Sequence, residues 1–232
     1  MGMNPSAAML FTAGFGTRMG SLTQDRPKPL IEVGGHTLLD HALAVLDGAG
    51  IRDVVANLHY LPDQIVRHLS MRPGIRFSDE TPLILETGGG LLNALPLLGE
   101  GPVFTLNTDA VWTGANPIEE LRTAWRPDPM DGLLLLVPRE AATGHTGAGD
   151  FDLCADGRIR RGRGFVYTGA GIVKTDGLGR VGERVFSLNR LWNEMAAGGR
   201  LFGTVHVGGW CDVGRPESIP LAEALLRGNG RD

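Results

Sequence analysis

Short apolar runs alternate with segments of helical period along the first 140 residues. Residues 7–12 are apolar and end in a glycine-rich turn, which predicts a buried first strand. Residues 37–48 place Leu38, Leu39, Ala42, Leu43, Val45 and Leu46 on one face of a helix. Thr37 with Asp40 three residues on is a cap, and Gly48 and Gly50 are a stop. A strand over 53–58, a helix over 62–70 and a weaker strand over 75–78 follow. The next helix is predicted to be capped by Thr87, to carry Leu91, Leu92 and Leu95, and to end or kink at Pro96. Residues 103–107 form a strand that leads into Asp109, and Asn116-Pro117 opens a helix with Ile118, Leu121 and Trp125 inward. Residues 132–137 are a buried strand. Beyond them the pattern turns strand-rich (151–153, 158–161, 165–173). A helix over 188–197, strands over 201–206 and 210–213, and a last helix from Pro216 or Ser218 to Arg227 complete the chain. Repeated strand–helix units predict an α/β fold, a mainly parallel sheet with helices on both faces, with ligands at the carboxyl ends of the strands.

Composition narrows the class. The 232 residues are 42% hydrophobic and 21% charged, an ordinary globular balance that excludes collagenous, coiled-coil and disordered chains. No apolar run approaches the roughly 20 residues that span a bilayer. Residues 1–6 lack the basic and apolar regions of a signal peptide, and their M-G-x-x-x-S string is too short to establish lipidation. A net charge of −4 gives no positive field for nucleic acid. The two cysteines, Cys154 and Cys211, suggest reduced thiols in a cytoplasm rather than a disulfide framework or zinc site.

Chemistry concentrates in two places near the N-terminus. Residues 13–20, Ala-Gly-Phe-Gly-Thr-Arg-Met-Gly, form a loop whose backbone N–H groups can wrap phosphate, with Arg18 as a cationic fork. The glycine spacing misses the dinucleotide fingerprint by one place, which disfavours an NAD-dependent oxidoreductase, and the P-loop lysine is absent. The second place is Arg26-Pro27-Lys28-Pro29-Leu30. The chain has only two lysines, Lys28 and Lys174, and one of them stands between prolines that hold its backbone extended.

These two segments at this spacing, with Leu22-Thr23 between them, resemble the signature of the sugar-1-phosphate nucleotidyltransferases. Glu86-Thr87-Gly88-Gly89-Gly90 resembles the family's nucleobase loop, Asn107-Thr108-Asp109 its first metal-binding aspartate, and Trp210-Cys211-Asp212-Val213-Gly214 its second. The matches span nearly the whole chain. Glu-Thr-Gly-Gly-Gly, with Gly144-His145 and Gly149-Asp150-Phe151, looks like the branch of the family that transfers uridylyl groups to N-acetylmuramate 1-phosphate; guanylyl transfer to mannose 1-phosphate is the second choice. Thr12, Ser21 and Thr108 depart from the family pattern without removing a charge.

The resemblance implies a Rossmann-like three-layer sandwich with a mixed, mostly parallel central sheet, of the nucleotide-diphospho-sugar transferase type. It implies one domain over 1–232, with a nucleotide-binding part over about 1–140 and a sugar-binding part over about 141–232. The partners implied are a nucleoside triphosphate and a sugar-1-phosphate, with no nucleic acid and no membrane, in a monomer or homodimer. By this resemblance Arg18 and Lys28 are catalytic; Ala13, Gly14, Gly16, Thr17, Glu86, Gly88 and Gly89 bind nucleotide; Asp150, Thr168 and Gly169 bind sugar; and Asp109 and Asp212 hold Mg²⁺. The family's further sugar-phosphate lysine has no evident counterpart, and the arginines of 158–163 and Lys174 are the candidates. A non-catalytic regulatory protein that kept the pocket is the alternative from another class. A glycosyltransferase would want Asp-x-Asp where Asn107-Thr108-Asp109 stands.

Overall fold

The computed structural model describes residues 4–228, so half of the 1–6 string lies outside the described residues. A nine-stranded sheet forms the centre. Asp53–Leu58 and Pro102–Asn107 flank Ala7–Phe11 in parallel, and Ile75–Asp79 adds to the outer edge. Phe165–Lys174 pairs antiparallel with Pro102–Asn107 on one side and with Gly132–Pro138 on the other. Leu201–Val205 lies parallel to Gly132–Pro138. From Ile75–Asp79 to Leu201–Val205, only Phe165–Lys174 runs against the rest. Phe151–Leu153 and Ile159–Arg161 form a hairpin on its first residues.

The two faces follow from strand alternation. Ala8 and Leu10 point to one face, where they meet the helices Leu38–Gly48, Pro62–Leu69 and Pro117–Ala124. Ala7 and Met9 point to the other, against Glu86–Leu98 and Leu188–Ala197. This is the three-layer, mixed and mostly parallel α/β sandwich. Thr37 and Asp40 close the anticipated reciprocal cap on Leu38–Gly48, and Asn116 caps Pro117–Ala124.

Several local features differ from the sequence expectation. Thr87 does not cap its helix; it lies inside Glu86–Leu98, and its hydroxyl accepts a hydrogen bond from Leu188 N. Pro96 does not end that helix, because it falls in the last turn, which continues to Leu98. Ala110–Gly114 is a strand no apolar pattern marked. With Gly208–Asp212 and Ala142–Thr143 it makes a second, three-stranded sheet. The helix Ser218–Gly228 packs on this sheet.

Candidate active site

The first strand is the switch point of the sheet, since its neighbours on either side come from different halves of the unit. Its carboxyl end and that of Pro102–Asn107 open together into a cavity of about 290 Å³. Ala13, Gly14, Gly16, Thr17, Arg18, Lys28, Glu86 and Asp109 all line it.

The loop after the first strand is anchored by polar groups that sequence reasoning did not single out. Thr12 N donates to Asn57 Oδ1 at 2.7 Å, and Asn57 Nδ2 donates to Glu80 Oε1 at 2.7 Å. The other oxygen of Glu80 accepts from Leu85 N at 2.9 Å, just before the helix Glu86–Leu98. Glu80 is 1% exposed, so this chain is a buried, fully partnered network that fixes the phosphate-facing loop against the Glu86 wall. Glu86 itself adopts φ +59°, a strained backbone for a residue with a side chain, at the cavity's edge.

Gly16 explains the spacing between the loop and Lys28. Its φ is +64°, and a Cβ there would stand 2.8 Å from Lys28 Cβ and 3.0 Å from Thr23 Cγ2. The glycine lets the lysine stem cross beneath the loop. Pro27 is extended, as expected, but Lys28–Leu30 is one turn of 3₁₀ helix rather than extended chain. From that turn Lys28 Nζ donates to Asp109 Oδ2 at 2.8 Å, with the lysine side chain 11% exposed. An ammonium has three donors, so this pair leaves two for other acceptors.

The small sheet brings the second carboxylate to the first. Asp212 pairs with Ala110 across two antiparallel strands, and Val213 N donates to Asp109 O at 2.8 Å. Arg18 approaches from the glycine loop: both Asp212 carboxylate oxygens (3.0 and 3.1 Å) and Arg18 Nη1 (3.4 Å) crowd the same point beside Gly214. Burial, and after it the charge of Asp109, raise the Asp212 carboxyl above its ordinary range; Lys28, Arg18 and His145 pull the other way. Two carboxylates that repel each other next to an open cavity suit a divalent cation, which takes one or two carboxylates and fills its remaining positions with phosphate oxygens and water. Among the described residues no cluster of three or more His, Cys, Asp or Glu supplies a complete metal cage. Thr108, where the family pattern has glycine, turns its hydroxyl to Phe11 O at 2.8 Å and braces the two central strands.

The other predicted residues are placed differently. Gly88 and Gly89 donate their N–H groups to Phe186 O at 2.9 and 3.0 Å. A Cβ at Gly88 would stand 2.4 Å from the Phe186 ring, and one at Gly89 would stand 2.2 Å from Arg184 O. They pack against the 184–186 segment and do not line this cavity. Thr168 is 1% exposed and spends its hydroxyl on Leu135 O, so it backs the site rather than facing it. Gly169, at φ +90°, allows close approach of the Asn107 side chain, and Asn107 lines the cavity. Asp150 accepts from Tyr167 N at 2.9 Å. Burial, and then the charges of Asp109 and Asp150, push the Tyr167 phenol far up. Lys174 is bound to Pro127 O and Asp131 at the opposite end of its strand and is excluded from this site.

The geometry agrees with the comparisons. The model of the MobA-like NTP transferase domain matches residues 8–147. N-acetylmuramate alpha-1-phosphate uridylyltransferase of Caulobacter vibrioides is 42% identical over 240 residues, covering 97% of this chain and 99% of that protein. The enzyme of the same name from Neisseria meningitidis serogroup B is 35% identical, over 94% of this chain and 97% of that one. The solved inositol-1-phosphate CTP transferase of T. maritima superposes with a TM-score of 0.78 at 16% identity, over 98% and 97% of the two chains, and shares the fold.

Proposed function

The chain belongs to the MobA-like NTP transferase family, and from that premise we propose that it joins UTP and N-acetylmuramate 1-phosphate into a nucleotide-sugar with release of pyrophosphate. The observation that carries this reading is the convergence of Arg18, Lys28 and Asp109 on one cavity at the switch point, with Asp212 beside Arg18 at Gly214 on its rim. In the reaction a phosphate oxygen of the sugar phosphate attacks the α-phosphorus of UTP in line. The new P–O bond forms as the bond to the β-phosphate oxygen breaks, and pyrophosphate carries away the electron pair.

No covalent intermediate with the protein is needed, so positioning and charge neutralisation supply the acceleration. The amides of Ala13, Gly14, Gly16 and Thr17 bind phosphate oxygens, Arg18 neutralises the departing pyrophosphate, and Lys28 meets the charge that grows on the α-phosphate. Glu86 faces the nucleoside. Asp109 and Asp212 would hold Mg²⁺, which when bound screens the repulsion between the two phosphates. Asp150 and Gly169 shape the sugar side, over the part of the chain from about 141 to 232, within a single domain.

A pyrophosphate-release matrix of four nucleoside triphosphates against several sugar 1-phosphates tests the reading. Turnover strongest with UTP and N-acetylmuramate 1-phosphate is expected; release only from GTP with mannose 1-phosphate would overturn the substrate assignment, and release from no pair would overturn the transferase itself.

A further inference from the structure

We propose that a second cavity, of about 520 Å³ and lined by Arg139, Glu140, His145, Thr146, Arg163 and Gly164, is a carboxylate subsite that recognises an acidic substituent on the sugar ring. This rests on the reading above, in which the acceptor is a sugar 1-phosphate.

One wall of the cavity continues from the small sheet that carries Asp212. Thr143 pairs with Cys211 in the small sheet, and Gly144, next to His145, packs so closely on this strand that a Cβ there would collide with Asp212 O. Arg18 meets Asp212 from the other direction. In the proposed arrangement the sugar 1-phosphate enters the first cavity and its ring reaches past Asp212 to the second. The wall opposite His145 is the turn at Arg163-Gly164 that starts the strand Phe165–Lys174, and Arg139 N ties the two walls by donating to Gly164 O at 3.0 Å.

The arginines of this cavity are chemically available. Arg158 is held by Asp156 and Gly199 O, and Arg161 by Asn189, Asn193 and the face of Phe151. The guanidinium of Arg163 has no ion-pair or hydrogen-bond partner among the described residues, and Arg139 commits only Nε, to Gly147 O at 3.3 Å. Glu140 is the one acid in the wall, so two guanidinium groups outnumber it. His145 Nε2 is buried without a hydrogen-bond partner and packs against Gly147, so the imidazole shapes the wall between the two arginines. A guanidinium fork matches a carboxylate in shape as well as charge. N-acetylmuramate differs from N-acetylglucosamine by a lactyl ether that ends in a carboxylate. The pocket would therefore select the sugar acid over the neutral sugar.

The test compares the parent protein with R163A and R139A on the 1-phosphates of N-acetylmuramate and N-acetylglucosamine. Pyrophosphate release gives kcat/KM, and calorimetry gives sugar-phosphate binding without turnover; circular dichroism verifies folding of both variants, whose altered side chains are exposed. Loss of one charge-assisted contact predicts that the preference for the sugar acid falls by about tenfold to a hundredfold in R163A, with a rise in its KM. A preference unchanged within twofold in both variants overturns the subsite. So does an equal loss on both sugars, which would put Arg163 on the phosphate. A parent that binds N-acetylmuramate 1-phosphate through Arg163 yet releases no pyrophosphate would refute the transferase reading and leave the subsite standing.

Discussion

Replacing Lys28 with alanine separates transition-state stabilisation from simple binding. The ammonium stands 2.8 Å from Asp109 Oδ2 in a nearly closed setting. At an effective dielectric near 20 the gross attraction at that distance is roughly 6 kcal/mol. Desolvation offsets most of it, and a charged hydrogen bond leaves about 1.5–3 kcal/mol net. The variant keeps the Cβ that touches the Gly16 position, so the loop retains its support. Arg18 and the loop amides still bind the triphosphate, and the KM for UTP should rise by less than about tenfold. Loss of a preorganised donor at developing charge costs about 10²–10³ in kcat. Steady-state pyrophosphate release with varied UTP measures both constants. An arginine at the same position should restore only part of the rate, because a planar fork cannot reproduce a point charge in the 3₁₀ turn. A Lys28→Ala protein with parental kcat and a raised KM would refute the reasoning, since the lysine would then bind substrate and transition state alike.

Gly89→Ala should destabilise the fold by about 1–3 kcal/mol, seen in urea denaturation, because the new methyl collides with Arg184 O; unaltered stability would show that the 184–186 segment yields freely. Burial pushes the Cys211 thiol up to about 11, whereas Cys154 is exposed. A thiol reagent at pH 8 should therefore modify one cysteine per native chain and two after unfolding, and equal native reactivity would contradict the packing of the small sheet. The hydrogen bond from Arg200, with help from Lys174, holds Asp131 below the usual carboxylate range despite an opposing desolvation. A depressed folded-state value means stabilisation in place above the unfolded-state value and lost as pH falls through the folded one. Asp131→Asn should lower the melting temperature at pH 7, with the gap to the parent closing under acid conditions; a gap that is constant with pH would remove the ion network as its cause.

The parallel core was legible because its signals are local. The apolar runs at Ala7–Phe11, Asp53–Leu58 and Gly132–Pro138, and the caps at Thr37 and Asn116, follow from period and side-chain chemistry alone. Lys28 between its prolines and Arg18 in its glycine loop stood out by local chemistry, whereas the two aspartates were picked out only by resemblance to the family's segments. What sequence reading missed depends on contacts between distant segments. Ala110–Gly114 is a strand only because Gly208–Asp212 pairs with it. Gly88 and Gly89 are also required by close packing against Phe186 and Arg184, a constraint no local pattern shows. Asn57 and Glu80 are single polar residues at strand ends, a weak signal until burial and Thr12 join them. The spare guanidinium of Arg163 could not be told from its partnered neighbours in the basic run without knowing where Asp156, Asn189 and Asn193 lie.

Binding of Mn²⁺, followed by electron paramagnetic resonance with UTP present, examines the pairing of Asp109 and Asp212 at its root. The parent should take up one ion per chain. Asp109→Asn and Asp212→Asn should each weaken that uptake by about tenfold to a hundredfold and abolish most turnover, with circular dichroism unchanged. Parental Mn²⁺ affinity in both folded variants would mean that these carboxylates do not share a cation.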